Sequence, residues 1–179
     1  MTRISLPPSI DTAPTAAQPL LDGVRQMLGS VPNLFRITAN SPAALEGYLG
    51  LNGALAKGRL DAKTRERIAL AVAQVNGCEY CLAAHTYLGT HVAKLDAAEI
   101  AANRNASSFD PKADVAVGFA VKLVTERGHI GDADVTALKS AGYTEVEIVA
   151  HVALNTLTNY INSAFETPID FPVVSAKVA

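Results

Sequence analysis

Asn76-Gly77-Cys78-Glu79-Tyr80-Cys81-Leu82-Ala83-Ala84-His85 is the stretch on which the fold of this 179-residue chain turns. Gly77 reads as the stop of one helix, because glycine takes the left-handed conformation that ends helices without steric cost. Cys78 then opens the next helix. Successive helical residues turn by about 100°. Cys78, Cys81 and His85 stand three and then four residues apart, so all three share one stripe. Such neighbours lie about 5–6 Å apart at Cβ, and a slight adjustment closes a disulfide. These are the only two cysteines of the chain.

The helix before the turn is capped by Asp61 and carries Ile68, Leu70, Val72 and Val75. Glu66 lies 11 residues before Gly77 and His85 lies 8 after it. At about 1.5 Å per residue the two are about 16 Å and 12 Å from the turn. Folded back as an antiparallel hairpin, they come to similar heights, and a carboxylate there can orient the imidazole.

Working outward, the same punctuation recurs. Residues 1–14 hold three prolines and no periodicity, and read as an extended N-terminal arm. Thr15-Ala16-Ala17-Gln18 reads as a capping box for a helix to Leu28. Pro32 starts a short turn with Leu34 and Phe35, and Ser41-Pro42 starts a helix that Gly58 ends. Asp96-x-x-Glu99 and Thr144-x-x-Glu147 read as further capping boxes, Asp110-Pro111 as a helix start before Gly128, and Asp132 as the start of a short helix before Gly142. Residues 15–179 therefore read as one all-α domain that includes an extended C-terminal tail. Apolar residues make up 49% of the chain, aromatics only 6%, and tryptophan is absent. An alanine-rich, aromatic-poor composition favours closely packed helices over sheets.

A thiol pair at this spacing can cycle between dithiol and disulfide. The thiolate is the reactive form, and a helix N-terminus stabilises it, which by itself favours Cys78 as the attacking residue. Peroxide converts a thiolate to a sulfenic acid, and the neighbouring thiol resolves it to a disulfide. The pattern points to a thiol-based redox enzyme, a hydroperoxide reductase. Duller readings also fit: two small buried hydrophobes beside a chance histidine, or a zinc site of Cys78, Cys81 and His85 that lacks a fourth ligand. Glu66 falls in the charged run Thr64-Arg65-Glu66-Arg67, which a solvated helix face also explains. His151, inside the apolar run from Ile148 to Leu157, reads as a hydrogen-bonded core histidine, and His91 and His129 as surface loop residues. A shift of 81 residues places Glu147 on Glu66, Asn159 on Cys78 and Asn162 on Cys81, either by chance or as the trace of a duplication whose second site has no thiols.

The spacing Glu66, Cys78, Cys81, His85 resembles that of the AhpD-like alkylhydroperoxidases in the carboxymuconolactone decarboxylase superfamily. Gly58-Arg59-Leu60-Asp61 before the helix also resembles that family, and Val31-Pro32-Asn33-Leu34-Phe35-Arg36, Thr158-Asn159-Tyr160-Ile161-Asn162 and Asp170-Phe171-Pro172 are similar to its peroxidase-related branch. The resemblance implies an AhpD-like helical fold with the Cys-x-x-Cys helix in a hairpin, trimers or hexamers, and hydroperoxide reduction with peroxiredoxin activity. It implies that Cys81 attacks peroxide, that Cys78 resolves, and that Glu66 and His85 activate Cys81. Where the family has a relay histidine before the second cysteine, this chain has Tyr80 as the candidate relay. A pKa near 10 makes a phenol a poor proton carrier.

The expected partners are a hydroperoxide and a thiol reductant or dithiol adaptor protein, with no cofactor and no metal. A net charge of −2 does not attract nucleic acid or an acidic membrane. No segment approaches the roughly 18 apolar residues of a membrane span, and residues 1–10 lack the apolar stretch of a signal peptide. The expected setting is a reducing cytoplasm, where two cysteines three apart are more often redox-active or metal-binding than structural. The arm and the apolar Phe171-Pro172-Val173-Val174 suggest surfaces covered by a homo-oligomer. A general disulfide oxidoreductase and a non-enzymatic redox sensor remain as alternatives.

Overall fold

Nine α-helices form the regular structure of residues 2–172, the part of the chain that the computed structural model describes. In chain order they are α1 (Gln18–Leu28), α2 (Asn33–Thr38), α3 (Pro42–Leu55), α4 (Ala62–Val75), α5 (Glu79–His91), α6 (Ala97–Arg104), α7 (Pro111–Thr125), α8 (Asp132–Ser140) and α9 (Glu145–Phe165). Short 3₁₀ turns at Ile10–Thr12 and Thr15–Ala17 precede them. No strand occurs among the described residues, so the all-α expectation holds.

The middle of α4 is buried on every side, from Arg67 through Ala73. A helix apolar all round must be surrounded, and α5, α6, α7 and α9 pack around it. Alanines at 69, 71 and 73 on α4 and at 113, 116 and 120 on α7 are buried, and small side chains let helix axes approach closely. Leu60, Ile68, Phe119, Leu138, Ile148 and Val152 form one core where α4, α7, α8 and α9 meet. Leu21, Val24, Phe35 and Leu45 form a second under α1–α3.

Most of the helix starts are where the sequence places them. Asp61 accepts from Thr64 N at 2.9 Å, Ser41 from Ala44 N at 3.3 Å, and Asp110 from Lys112 N at 3.0 Å. Asp61→Ala is expected to cost about 1 kcal/mol, seen as a lowered thermal midpoint, because it leaves an amide of α4 without its side-chain acceptor.

Three capping boxes differ from expectation. Thr15 makes no cap; it sits in a 3₁₀ turn, and the Gln18 side chain donates instead to the carbonyls of Asp11 and Ala13. Asp96 does accept from Glu99 N at 2.8 Å, but the Glu99 carboxylate is drawn away to Arg67. Thr144 makes no side-chain cap, and Glu147 accepts from Leu60 N at 2.9 Å. The Glu147 carboxylate lies against Gly58, where any Cβ would overlap it. In each case a long polar side chain finds a partner elsewhere in the chain. His91 also differs: it is the last residue of α5, its ring against Tyr87 at 4.5 Å.

Residues before α1 do not project as a free arm. Arg36 Nε donates to Pro7 O at 2.7 Å, Asn40 Nδ2 to Ser5 O at 2.7 Å, and Arg3 N to Phe165 O at 3.1 Å. Ile10–Thr12 is a 3₁₀ turn, and Ala13 is buried in the second core. Phe171 of the tail packs edge-on against Tyr80, centroids 5.8 Å apart, and against Tyr87 at 6.0 Å. Both features offered above for oligomerisation are thus partly covered by the chain itself. Val173 and Val174 lie outside the described residues.

Candidate active site

The turn between α4 and α5 positions the cysteines. Gly77 takes φ of 64°, a left-handed conformation that glycine adopts without strain, and Cys78 N donates to Ala73 O at 3.0 Å. Cys78 is the N-cap of α5 rather than its first helical residue. Its Sγ accepts from Cys81 N at 3.2 Å, as a serine or aspartate oxygen does at other helix starts. Cys78 and Cys81 are disulfide-bonded, with Cα atoms 5.3 Å apart, and each residue is only 2% exposed.

The hairpin folds back as the spacing requires. His85 Nδ1 lies 2.9 Å from Glu66 Oε2. With Nδ1 engaged by the carboxylate, Nε2 is the nitrogen left to exchange a proton. Cys81, Glu66 and His85 all line one cavity of about 500 Å³. Leu34, Phe35, Leu88, Leu154 and Phe171 supply much of its apolar wall. Cys78 does not line it.

Several polar groups of this site lie outside the Glu66, Cys78, Cys81, His85 spacing. Asn162, on α9, points its Nδ2 at Cys81 Sγ, 3.4 Å away. Asn159 Oδ1 accepts from Asn76 Nδ2 at 2.9 Å and ties α9 to the turn. Two sequence signals had touched Asn162: the 81-residue echo that placed it on Cys81, and the segment Thr158-Asn159-Tyr160-Ile161-Asn162 of the resemblance. Tyr48 lines the cavity; burial, and then the charge of Glu66, push its phenol up to about 12, so it stays a neutral donor.

His151 is buried and lines the same cavity, yet its Nε2 has no hydrogen-bond partner among the described residues. This corrects the hydrogen-bonded core histidine expected from its apolar run. Burial, and then the nearby Arg65 charge, push its pKa down, which favours the neutral ring. Tyr80 OH accepts from Leu34 N at 3.1 Å, and burial pushes its phenol far above the ordinary range. Among the described residues no three His, Cys, Asp or Glu side chains converge to hold a metal ion. No helix among them is long and apolar enough to cross a membrane.

The site is thus a helical hairpin with a buried disulfide at its turn, where Cys81 shares a cavity with a carboxylate–imidazole pair. Residues 42–122 match the carboxymuconolactone decarboxylase family. The chain is similar to an uncharacterized peroxidase-related protein of Ralstonia eutropha JMP134, described as an alkylhydroperoxidase AhpD core, at 26% identity and a TM-score of 0.82, over 94% of this chain and 92% of that one. It shares its fold with the debrominase Bmp8 in complex with 2,3,4-tribromopyrrole, at 22% identity and a TM-score of 0.77, over 95% and 94% of the two chains. A curated relative, an uncharacterized protein of Haemophilus influenzae, is 56% identical over 45 residues, which span 25% of this chain and 40% of that protein's length. Residues 42–122 thus match the carboxymuconolactone decarboxylase family, and over nearly its whole length the chain is similar in fold to an AhpD-core peroxidase-related protein.

Proposed function

We propose that the protein is a thiol-dependent peroxidase that reduces organic hydroperoxides through a Cys78/Cys81 dithiol–disulfide cycle. The observation that carries this reading is the position of Cys81. It shares a largely apolar cavity of about 500 Å³ with the Glu66–His85 pair, and Cys78 does not. The Cys81 thiolate attacks a peroxide oxygen and the O–O bond breaks. The leaving alkoxide takes a proton from His85, which Glu66 orients. Cys78, a thiolate favoured by the Cys81 amide, then attacks the Cys81 sulfenic sulfur and expels hydroxide, which takes a proton from solvent to leave as water. An external thiol reductant reopens the disulfide.

The helix-terminus argument for Cys78 is compatible with this order. As the N-cap of α5, with the Cys81 amide donating to its sulfur, Cys78 is placed as the resolving nucleophile even though it does not meet the peroxide. Tyr80 serves as a wall in this scheme, since its phenol holds its proton and already accepts from Leu34.

His85→Ala is expected to slow oxidation of the dithiol by cumene hydroperoxide by about 10²-fold, the scale of one general acid–base group. It should also move the pH dependence of that step upward. Glu66→Gln should act in the same direction, less strongly. Stopped-flow or quenched-flow thiol titration measures both, and unchanged oxidation in His85→Ala would remove the pair from the mechanism.

One observation favours a second reading, a general disulfide oxidoreductase: no histidine precedes Cys81, and the Tyr80 that stands there is a poor acid. Disulfide exchange with a peptide substrate, without consumption of any hydroperoxide, would select it. Offering 2,3,4-tribromopyrrole in the same assay tests for thiol-driven dehalogenation. A homo-oligomer, trimeric or hexameric, in a reducing cytoplasm belongs to the same proposal. Its support is that Met27 and Val92, 63% and 67% exposed, both border the cavity. A monomer by light scattering at micromolar concentration would refute it.

A further inference from the structure

The disulfide stands between two concavities. The large cavity holds Cys81, Glu66 and His85. On the other side lies a groove of about 290 Å³, lined by Gly77, Cys78, Glu79, Ser163, Glu166 and Ile169 among others. Cys81 does not line the groove, and Cys78 does not line the cavity. Tyr80 and Asn162 line both, so these two side chains form the partition.

We propose that the groove along Gly77–Glu79 and Ser163–Ile169 is the entry for the electron donor, a slender dithiol that attacks Cys78, while the peroxide uses the cavity at Cys81. This rests on the peroxidase reading for the role of the cavity, while the groove's lining by Cys78 and not Cys81 supports the direction of attack independently.

Chemistry and packing agree on that direction. A donor thiolate attacks Cys78 Sγ, and the Cys78–Cys81 bond breaks. Its electron pair leaves on Cys81, where Asn162 Nδ2 is already placed to donate to the departing thiolate. A stabilised leaving thiolate speeds exchange. The second thiol of the donor, deprotonated, then attacks the donor's own sulfur in the mixed disulfide. Cys78 is released, and the donor departs as a cyclic disulfide, having supplied two electrons. Cys81 is left as a thiolate inside the cavity beside Glu66 and His85, ready for the next peroxide. Attack on Cys81 instead would require the donor to occupy the space that the peroxide must fill. Both cysteines are 2% exposed, which restricts the donor to a thiol on a narrow arm.

Ser163 is exposed on α9, so a large side chain there fills the groove without entering a core. The first measurement uses protein oxidised by diamide, with no peroxide. Ser163→Trp is expected to slow reopening of the disulfide by dithiothreitol at least tenfold. The second uses single-cysteine proteins and 4,4′-dithiodipyridine. Ser163→Trp should slow labelling of Cys78 in a Cys81→Ser background at least tenfold, and labelling of Cys81 in a Cys78→Ser background less than twofold. Ile169→Trp, on the other wall, should repeat the pattern if either variant fails to fold by circular dichroism. Equal slowing of both cysteines, or unchanged reduction by dithiothreitol, overturns the proposal. Because diamide makes the disulfide, a protein that consumes no hydroperoxide but shows the groove effect would refute the peroxidase reading and leave the donor entry standing.

Discussion

Cys81→Ser is expected to bring peroxide turnover down to the uncatalysed level and to leave no sulfenic acid to trap. Cys78→Ser should abolish turnover as well, yet permit one round of oxidation, with a dimedone adduct at Cys81 found by peptide mass spectrometry. The asymmetry follows from position. Cys81 lines the cavity with Glu66 and His85, so peroxide meets that sulfur first. Its thiolate also has an N–H donor in Asn162, 3.4 Å away. Cys78 is the N-cap of α5, stabilised by the Cys81 amide but outside the cavity. Without Cys78 the sulfenic acid has no partner thiol and accumulates. If the adduct instead forms at Cys78 in the Cys81→Ser protein, the roles are reversed and the helix-terminus argument outweighs the cavity. If neither substitution alters turnover, the redox reading fails.

Glu99→Ala should produce the largest loss of stability away from the site, about 3–5 kcal/mol, because it leaves a buried guanidinium with only the longer contact to Asp110 at 3.5 Å. Arg67 Nε donates to Glu99 Oε1 at 2.7 Å, and the two side chains are 10% and 8% exposed. The carboxylate also accepts from Ser108 Oγ at 2.5 Å, Asn103 Nδ2 at 3.0 Å and Phe109 N at 3.0 Å. It thereby ties the loop between α6 and α7 to the central helix. Burial alone would raise its pKa, but the donors Ser108, Asn103, Phe109 and Arg67 outweigh burial and hold it down to about 2.

A carboxyl group with a depressed native pKa stabilises the fold above its unfolded value and loses that contribution as pH falls through the native one. Here the window runs from the ordinary carboxyl value near 4.5 down to about 2. Its size is on the order of 3 kcal/mol. Urea unfolding of the wild type at pH 7 and pH 3 should therefore differ by more than that of Glu99→Gln. An equal pH dependence in the two proteins would show that Glu99 does not titrate as its contacts require.

The helical hairpin was legible because its rules are local. An aspartate at 61 and a glycine at 77 set the ends of the helices, and the 3.6-residue period then places Cys78, Cys81 and His85 on one stripe. A turn of known length also brings Glu66 to the height of His85, and the two meet at 2.9 Å. Capping by Asp61, Asp110 and Ser41 was equally local, a side-chain oxygen reaching an amide two or three residues on.

What the sequence left open depends on groups far apart in the chain. Asn162 is 81 residues from Cys81, and no period or spacing rule says that α9 will cross α5 at its sulfur. His151 sits in an apolar run that reads as core, but α9 presents it to a cavity where Nε2 has no partner among the described residues. Glu99 and Glu147 looked like capping partners until Arg67 and Leu60 offered them buried contacts. The sequence alone determined the helices, the shared stripe and the Glu66–His85 pairing, because backbone periodicity and one turn suffice for them. Only the packing of α9 against the hairpin decided which sulfur faces the cavity and which faces the groove, because a partition between two concavities is built from side chains of several helices at once.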